Sequence, residues 1–160
     1  MERINRILNH PLWRESLTEI EKLEEDRIFC RHDTAHFLDV ARIAYIENLE
    51  KQLDIPKEWI YGAALLHDIG RHLQYTQGIP HEKAGGELAE VILRDCGFGE
   101  AARGEILHAI GSHRERETAA AEDLAGILYR ADKASRSCMF CPAAGECNWS
   151  EEKKNLRLYV

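Results

Sequence analysis

Along this chain, apolar stripes with helical spacing repeatedly lead to a histidine or an aspartate. Ile60, Ala63, Ala64 and His67 follow the i, i+3, i+4, i+7 spacing of one helical face. His36 shares a face with Val40 and Ile43, and His81 with Ala84, Leu88 and Val91. Ile106 and Ile110 lead to His113, and Leu124 and Leu128 lead to Asp132. Asp68 follows His67 directly. A buried aspartate is costly unless it is paired or coordinates a cation. A lone core histidine is more often bonded to a carbonyl than to a metal. Five separate segments aiming such groups inward make a shared metal site the economical reading.

Strand signals are absent: there is no sustained alternation, no β-branched run and no Asn-Gly or Asp-Gly turn. The expected architecture is all-α, a bundle of about six helices. They are placed at about 12–28 (entered through Pro11), 33–52, 57–70 (started by Pro56), from just after Pro80 to Cys96-Gly97, 100–112 and 121–136. Gly97 suits the left-handed position that closes a helix. With 160 residues and 44% hydrophobic content the chain fits one domain with a substantial core. Residues 1–136 are read as the metal-binding domain and 137–160 as a cysteine-containing tail packed on it. A net charge of −7 argues against general nucleic-acid binding, yet a small phosphorylated substrate is compatible because a bound metal supplies positive field locally. No apolar run reaches membrane-spanning length and the N-terminus has no signal-peptide core, so a cytoplasmic protein without membrane contact is expected.

The combined order of motifs resembles the HD superfamily of metal-dependent phosphohydrolases. His36 lies in HFLDVAR, His67-Asp68 in ALLHDIGR and Asp132 in YRADKASR, reproducing the H…HD…D signature across about residues 30–136. By that resemblance His36, His67, Asp68 and Asp132 hold a first metal. His81 in HEKAGGELA and His113 in AIGSHR match extra ligands of the binuclear members, including those that cleave diadenosine tetraphosphate. Asp68 would then bridge two ions, with His108 as an alternative to His113. Imidazole and carboxylate ligands suit one or two divalent transition ions, iron or manganese first, with cobalt, nickel and zinc also compatible. Such ions activate water for in-line attack on phosphorus. Arg71, one turn beyond His67, is the expected phosphate contact, with Lys133 and Arg136 as further substrate-binding candidates; Asp39 is read as an exposed helical acid.

Cys138, Cys141 and Cys147 place three thiols within ten residues. A structural tetrahedral site wants four ligands. Cys30 precedes His36 by six residues as Cys138 follows Asp132 by six, so both leave the same neighbourhood. Cys30 is therefore the leading fourth ligand, ahead of Cys96 and His32. A structural zinc is preferred; an iron–sulfur cluster uses the same ligands. The superfamily resemblance does not extend to this tail.

The leading function is hydrolysis of a phosphate ester or anhydride of a nucleotide or related small molecule. Its competitors are a mononuclear nucleotidase, a non-catalytic nucleotide- or redox-sensing module, and a di-iron oxygenase built on a similar ligand set. Oligomeric state is open, a homodimer being one option, with Trp13 and Trp149 read as exposed apolar residues available to an interface.

Overall fold

The computed structural model describes residues 1–157, which contain eight α-helices, two short 3-10 segments and no strand. The helices are α1 (Glu2–Asn9), α2 (Pro11–Leu23), α3 (Thr34–Glu50), α4 (Lys57–Leu66), α5 (Arg71–Gln77), α6 (His81–Asp95), α7 (Glu100–Ser112) and α8 (Leu124–Ala134). The 3-10 segments are Arg116–Ala120 and Cys138–Phe140. No described helix is long and apolar enough to cross a membrane.

Helix α4 is the axis of the bundle. Ile60 and every residue from Gly62 to Leu66 are buried, as expected of a helix covered on nearly all sides. It packs against α1, α3, α6, α7 and α8. Phe37, Val40, Ile106, Ile110 and Ile127 complete a continuous core around it. Two aspartates set the starts of the site-bearing helices. The Asp33 carboxylate accepts from the backbone N–H of His36 at 2.9 Å, and Asp123 accepts from that of Gly126 at 2.9 Å. Helix α6 ends as expected, with Gly97 at φ +83°, its N–H bonded to Arg94 and that of Phe98 to Leu93.

Five departures from the sequence-based expectations stand out. Helix α1 was not anticipated: its short stripe, Ile4 and Ile7, is buried, and Pro11 starts a separate helix beyond His10. The helix placed over 12–28 stops at Leu23, where Glu24 turns inward to bond His32. The helix placed over 57–70 stops at Leu66, and α5 begins after a turn containing His67 to Gly70. Trp13 is buried, with its indole N–H donating to Leu65 O at 2.9 Å, so it serves the core and is no interface anchor. The last helix starts at Leu124, later than expected, after the 3-10 turn.

The break at Gly70 has a steric reason. A Cβ there would lie 2.4 Å from Gly85 N and 2.5 Å from His81 O. The first turn of α6 therefore rests directly on the turn that carries His67 and Asp68. Gly86, one residue away on α6, has open space around it. Gly70→Ala should destabilise the fold by about 1–3 kcal/mol or more, as overpacking does. Gly86→Ala should be neutral or slightly stabilising, by up to about 1 kcal/mol. Thermal unfolding of the two variants tests this contrast, and equal midpoints would contradict the close approach.

Candidate metal centre

The ends of five elements converge on one point. His36 lies in the first turn of α3, His67 and Asp68 in the turn after α4, and His81 opens α6. His113 follows α7 directly, and Asp132 sits in the last turns of α8. His36, His67, Asp68 and Asp132 form one group, and Asp68, His81 and His113 a second, with ligand atoms in each within 4.8 Å of one another. Asp68 belongs to both. His108 is exposed on α7 and lies in neither group, whereas His113 lies in the second. Asp39 is exposed beside Arg42.

Asp68 divides its two oxygens between the groups. Oδ1 faces His81 Nε2 at 3.0 Å and His113 Nε2 at 3.7 Å. Oδ2 faces His67 Nε2 at 3.2 Å and His36 Nε2 at 3.8 Å. Asp132 Oδ1 completes the first group at 3.5 Å from His36 and 3.7 Å from His67. The four histidines of these groups are turned the same way. Nδ1 of His67 lies 2.8 Å from Ala64 O, that of His113 2.6 Å from Ile110 O, and that of His36 3.1 Å from Ser135 Oγ. His81 Nδ1 meets the Gln74 side-chain oxygen. Acceptors at Nδ1 fix the tautomer and leave Nε2 without its proton, which is how proteins orient imidazole ligands. His36 Nε2 has Arg136 Nη2 at 3.2 Å, and the Nε2 atoms of His81 and His113 face each other at 3.1 Å.

The donor set fits divalent cations. Both Asp68 oxygens and His67 Nε2 are buried without a hydrogen-bond partner of adequate geometry, a costly arrangement unless an ion satisfies them. Burial would raise both carboxyls, yet His67 and Arg71 hold Asp68 well below the usual range, and His67 with Lys133 does the same for Asp132. Burial likewise disfavours the imidazolium of His67, but Asp68 and Asp132 overcome it and push its pKa up to about 9. The centre is thus a concentration of negative charge that draws any available cation, a proton included.

The comparisons agree with this geometry. The HD domain pattern matches residues 34–137, the stretch that contains both ligand groups. The chain belongs to the HD domain family. An uncharacterized protein of Clostridium beijerinckii is 45% identical over 159 residues, covering 99% of both chains. Ribonuclease Y of Syntrophobacter fumaroxidans is 30% identical over 122 residues, which are 76% of this chain but 21% of that protein. A crystal structure of a predicted HD superfamily hydrolase from an uncultured Thermotogales bacterium shares the fold, with a TM-score of 0.68 at 24% identity. It covers 95% of this chain and 81% of its own.

His32, the third choice for a fourth ligand beside the cysteines, is turned by the structure into the HD centre. Its Nε2 lies 3.5 Å from Asp68 Oδ2, and its Nδ1 lies 2.6 Å from Glu24 Oε1. Glu24 also accepts from the backbone N–H of His32 at 2.7 Å and from the Tyr75 hydroxyl. Burial would raise the Glu24 carboxyl, but His32 and Tyr75 hold it at about 2.

A cavity of about 650 Å³ opens onto the HD centre at His32, His113 and Asp132. Its walls carry Arg27, Arg71, Arg114, Lys133, Arg136 and Lys154. Arg71 Nε sits 3.0 Å from Asp68 Oδ1. Lys133 donates to Asp132 Oδ2 at 2.7 Å and to His113 O at 3.1 Å. Arg136 reaches Asp132 Oδ1 at 3.3 Å, and its side chain is 10% exposed, so it is not a solvated surface cation. Cys30, Cys138, Cys141 and Cys147 line the same cavity, although no three of their sulfurs lie within 4.8 Å of one another. Cys96 is buried elsewhere, against the core.

Two outcomes follow. Elemental analysis should find that Asp68→Ala abolishes metal binding at both groups, whereas His81→Ala retains the ion held by His36, His67 and Asp132. Identical metal content in the two variants would contradict a shared carboxylate. Because the folded pKa of Glu24 lies below its ordinary value of 4.5, its contribution is present above about pH 4.5 and lost as pH falls towards about 2. Denaturant unfolding of metal-free Glu24→Gln should therefore show a shallower loss of stability across that window than the wild type. A parallel pH dependence would contradict the pairing.

Proposed function

We propose that this HD domain is a metal-dependent phosphohydrolase that cleaves a phosphate ester or anhydride of a nucleotide or related small molecule. The observation that carries the reading is the cavity. Six cationic side chains line it, in a chain whose net charge is −7, and it opens onto the HD centre at Asp132. Such focusing draws polyanions to one place and keeps them from the rest of the surface. Trp149 and Phe29 add aromatic surface to the wall, suited to a nucleobase beside the phosphates. The division of the Asp68 oxygens between two histidine sets supports two ions, with iron and manganese favoured by the imidazole-rich donor set.

Held in these groups, divalent ions supply Lewis acidity and a nucleophilic water near neutral pH. His36, His67, Asp68 and Asp132 would hold the first ion, and Asp68, His81 and His113 the second. The remaining groups belong to the protein's own part in the reaction. Arg71, tethered through Asp68, presents its guanidinium to the phosphoryl oxygens and neutralises charge that grows on them. Lys133 and Arg136 brace Asp132 and face the same volume. His32, aligned by Glu24, holds a water or phosphoryl oxygen beside Asp68 Oδ2. A ribonuclease among the relatives agrees with hydrolysis at phosphorus, while the acidic balance of this chain disfavours a long nucleic acid.

Phosphate or nucleotide release should be measured across nucleoside mono-, di- and polyphosphates and dinucleotides with manganese or ferrous iron. The wild type should turn over at least one of them. Arg71→Ala should lower kcat/KM by about 10²–10³-fold, the range for losing one charge-stabilising donor, with metal content preserved. Oxygen consumption without phosphorus–oxygen cleavage would overturn the assignment.

A further inference from the structure

The tail after α8 poses a problem of stability that its own residues do not solve. Residues 138–157 contain no α-helix, only the 3-10 turn at Cys138–Phe140. Within this stretch only Cys138 and Ala143 are buried, while Phe140 is 82% exposed. A segment with so little apolar burial does not repay the entropy of ordering it. Small units of this kind are ordinarily held by disulfides or by a metal. All five cysteines are free thiols in the structure.

The backbone around the cysteines is already drawn together. Arg27 Nε donates to Cys30 O at 2.8 Å, and Arg136 Nη1 donates to Arg31 O at 3.3 Å. Cys138 N–H donates to Arg136 O at 3.0 Å, so the loops carrying Cys30 and Cys138 are joined through one arginine. Further along, Asn155 Nδ2 donates to the last carbonyls of α8, Lys133 O at 3.0 Å and Ala134 O at 2.6 Å, and Asn155 O accepts from Met139 N–H. This folds the tail back and brings Cys141 and Cys147 to the wall that Cys30 and Cys138 share. Burial raises the Cys30 thiol and Arg136 opposes it, with the Cys138 and Cys141 sulfurs close enough to add to the rise. Arg27, Arg136 and Lys154 line the same wall and offset the charge of gathered thiolates.

We infer that Cys30, Cys138, Cys141 and Cys147 form a second, four-thiolate metal site that clamps the tail to the bundle and so completes the outer wall of the HD cavity. Tetrahedral sulfur donors select zinc or iron–sulfur chemistry, which keeps this site distinct from the imidazole and carboxylate centre a few residues away. Closing the four sulfurs onto one centre requires adjustment within 138–149. No α-helix there resists it, and metal binding supplies the driving free energy. Cys96, packed in the core, stays outside.

The full chain should be purified without oxygen, and its zinc, iron and acid-labile sulfide measured per chain. Wild type, Asp68→Ala, Cys30→Ser, Cys147→Ser and Cys96→Ser are compared. Either zinc without sulfide or iron with sulfide should persist in Asp68→Ala and Cys96→Ser. It should be lost from Cys30→Ser and Cys147→Ser, which keep the HD metals. Should the serine variants fail to fold, titrating the wild type with an organomercurial answers the same question: metal should be released in step with modification of four thiols. Wild type whose thiols react freely with no release of metal would overturn the site, as would unchanged metal content in Cys30→Ser and Cys147→Ser. The outcome is independent of which substrate, if any, the HD centre hydrolyses.

Discussion

One carboxylate organises this molecule. Asp68 is buried to 1% exposure and has histidine nitrogens around both oxygens, with neither oxygen satisfied by a well-formed hydrogen bond. Burying an ion in that state is tolerable only where opposite charge accompanies it. The surrounding architecture supplies the means. Each ligand stands at the end of a helix or in the turn beside one, where a single backbone position can be fixed. The bundle axis α4 carries the central pair, and Asp33 fixes the backbone N–H of His36. The contact between Gly70 and the start of α6 brings His81 against Asp68.

The histidine and aspartate stripes were legible in the sequence because helical periodicity reports which face is buried. Knowing that His67 shares a face with Ile60, Ala63 and Ala64 is enough to send it inward. His32 was missed as part of the HD centre because periodicity says nothing about a residue just ahead of a helix. Its direction comes from Glu24, eight residues away, and that pairing exists only in three dimensions. The break after Leu66 was hidden for a similar reason: LLHDIG reads as continuous helix until a second backbone arrives within van der Waals contact of Gly70. On α6 the buried face runs through Ala84, Ala89, Ile92 and Leu93, displaced from the Leu88 and Val91 stripe, because the glycine contact sets the rotation of the helix. Trp13 was taken for a surface residue because a lone aromatic in a polar stretch carries no sign of the carbonyl waiting for its N–H.

Two kinds of ligand chemistry meet at one cavity. Hard and borderline donors, carboxylate and imidazole, occupy its floor, and soft thiols occupy the wall made by the tail. Between them lie the arginines and lysines that give an acidic protein one strongly cationic recess. Arg136 links the regions physically: its guanidinium reaches Asp132 and Arg31, and its carbonyl accepts from Cys138. An HD centre thus gains a specialised wall from an extension that the family match, ending at residue 137, does not include.

The proposed bridging of two ions by Asp68 is open to direct test. Crystals grown with manganese, measured on both sides of the manganese absorption edge, test it directly. Two anomalous peaks should flank the Asp68 carboxylate, one among His36, His67 and Asp132 and the other between His81 and His113. A single peak in the first group, with no ion between His81 and His113, would contradict it.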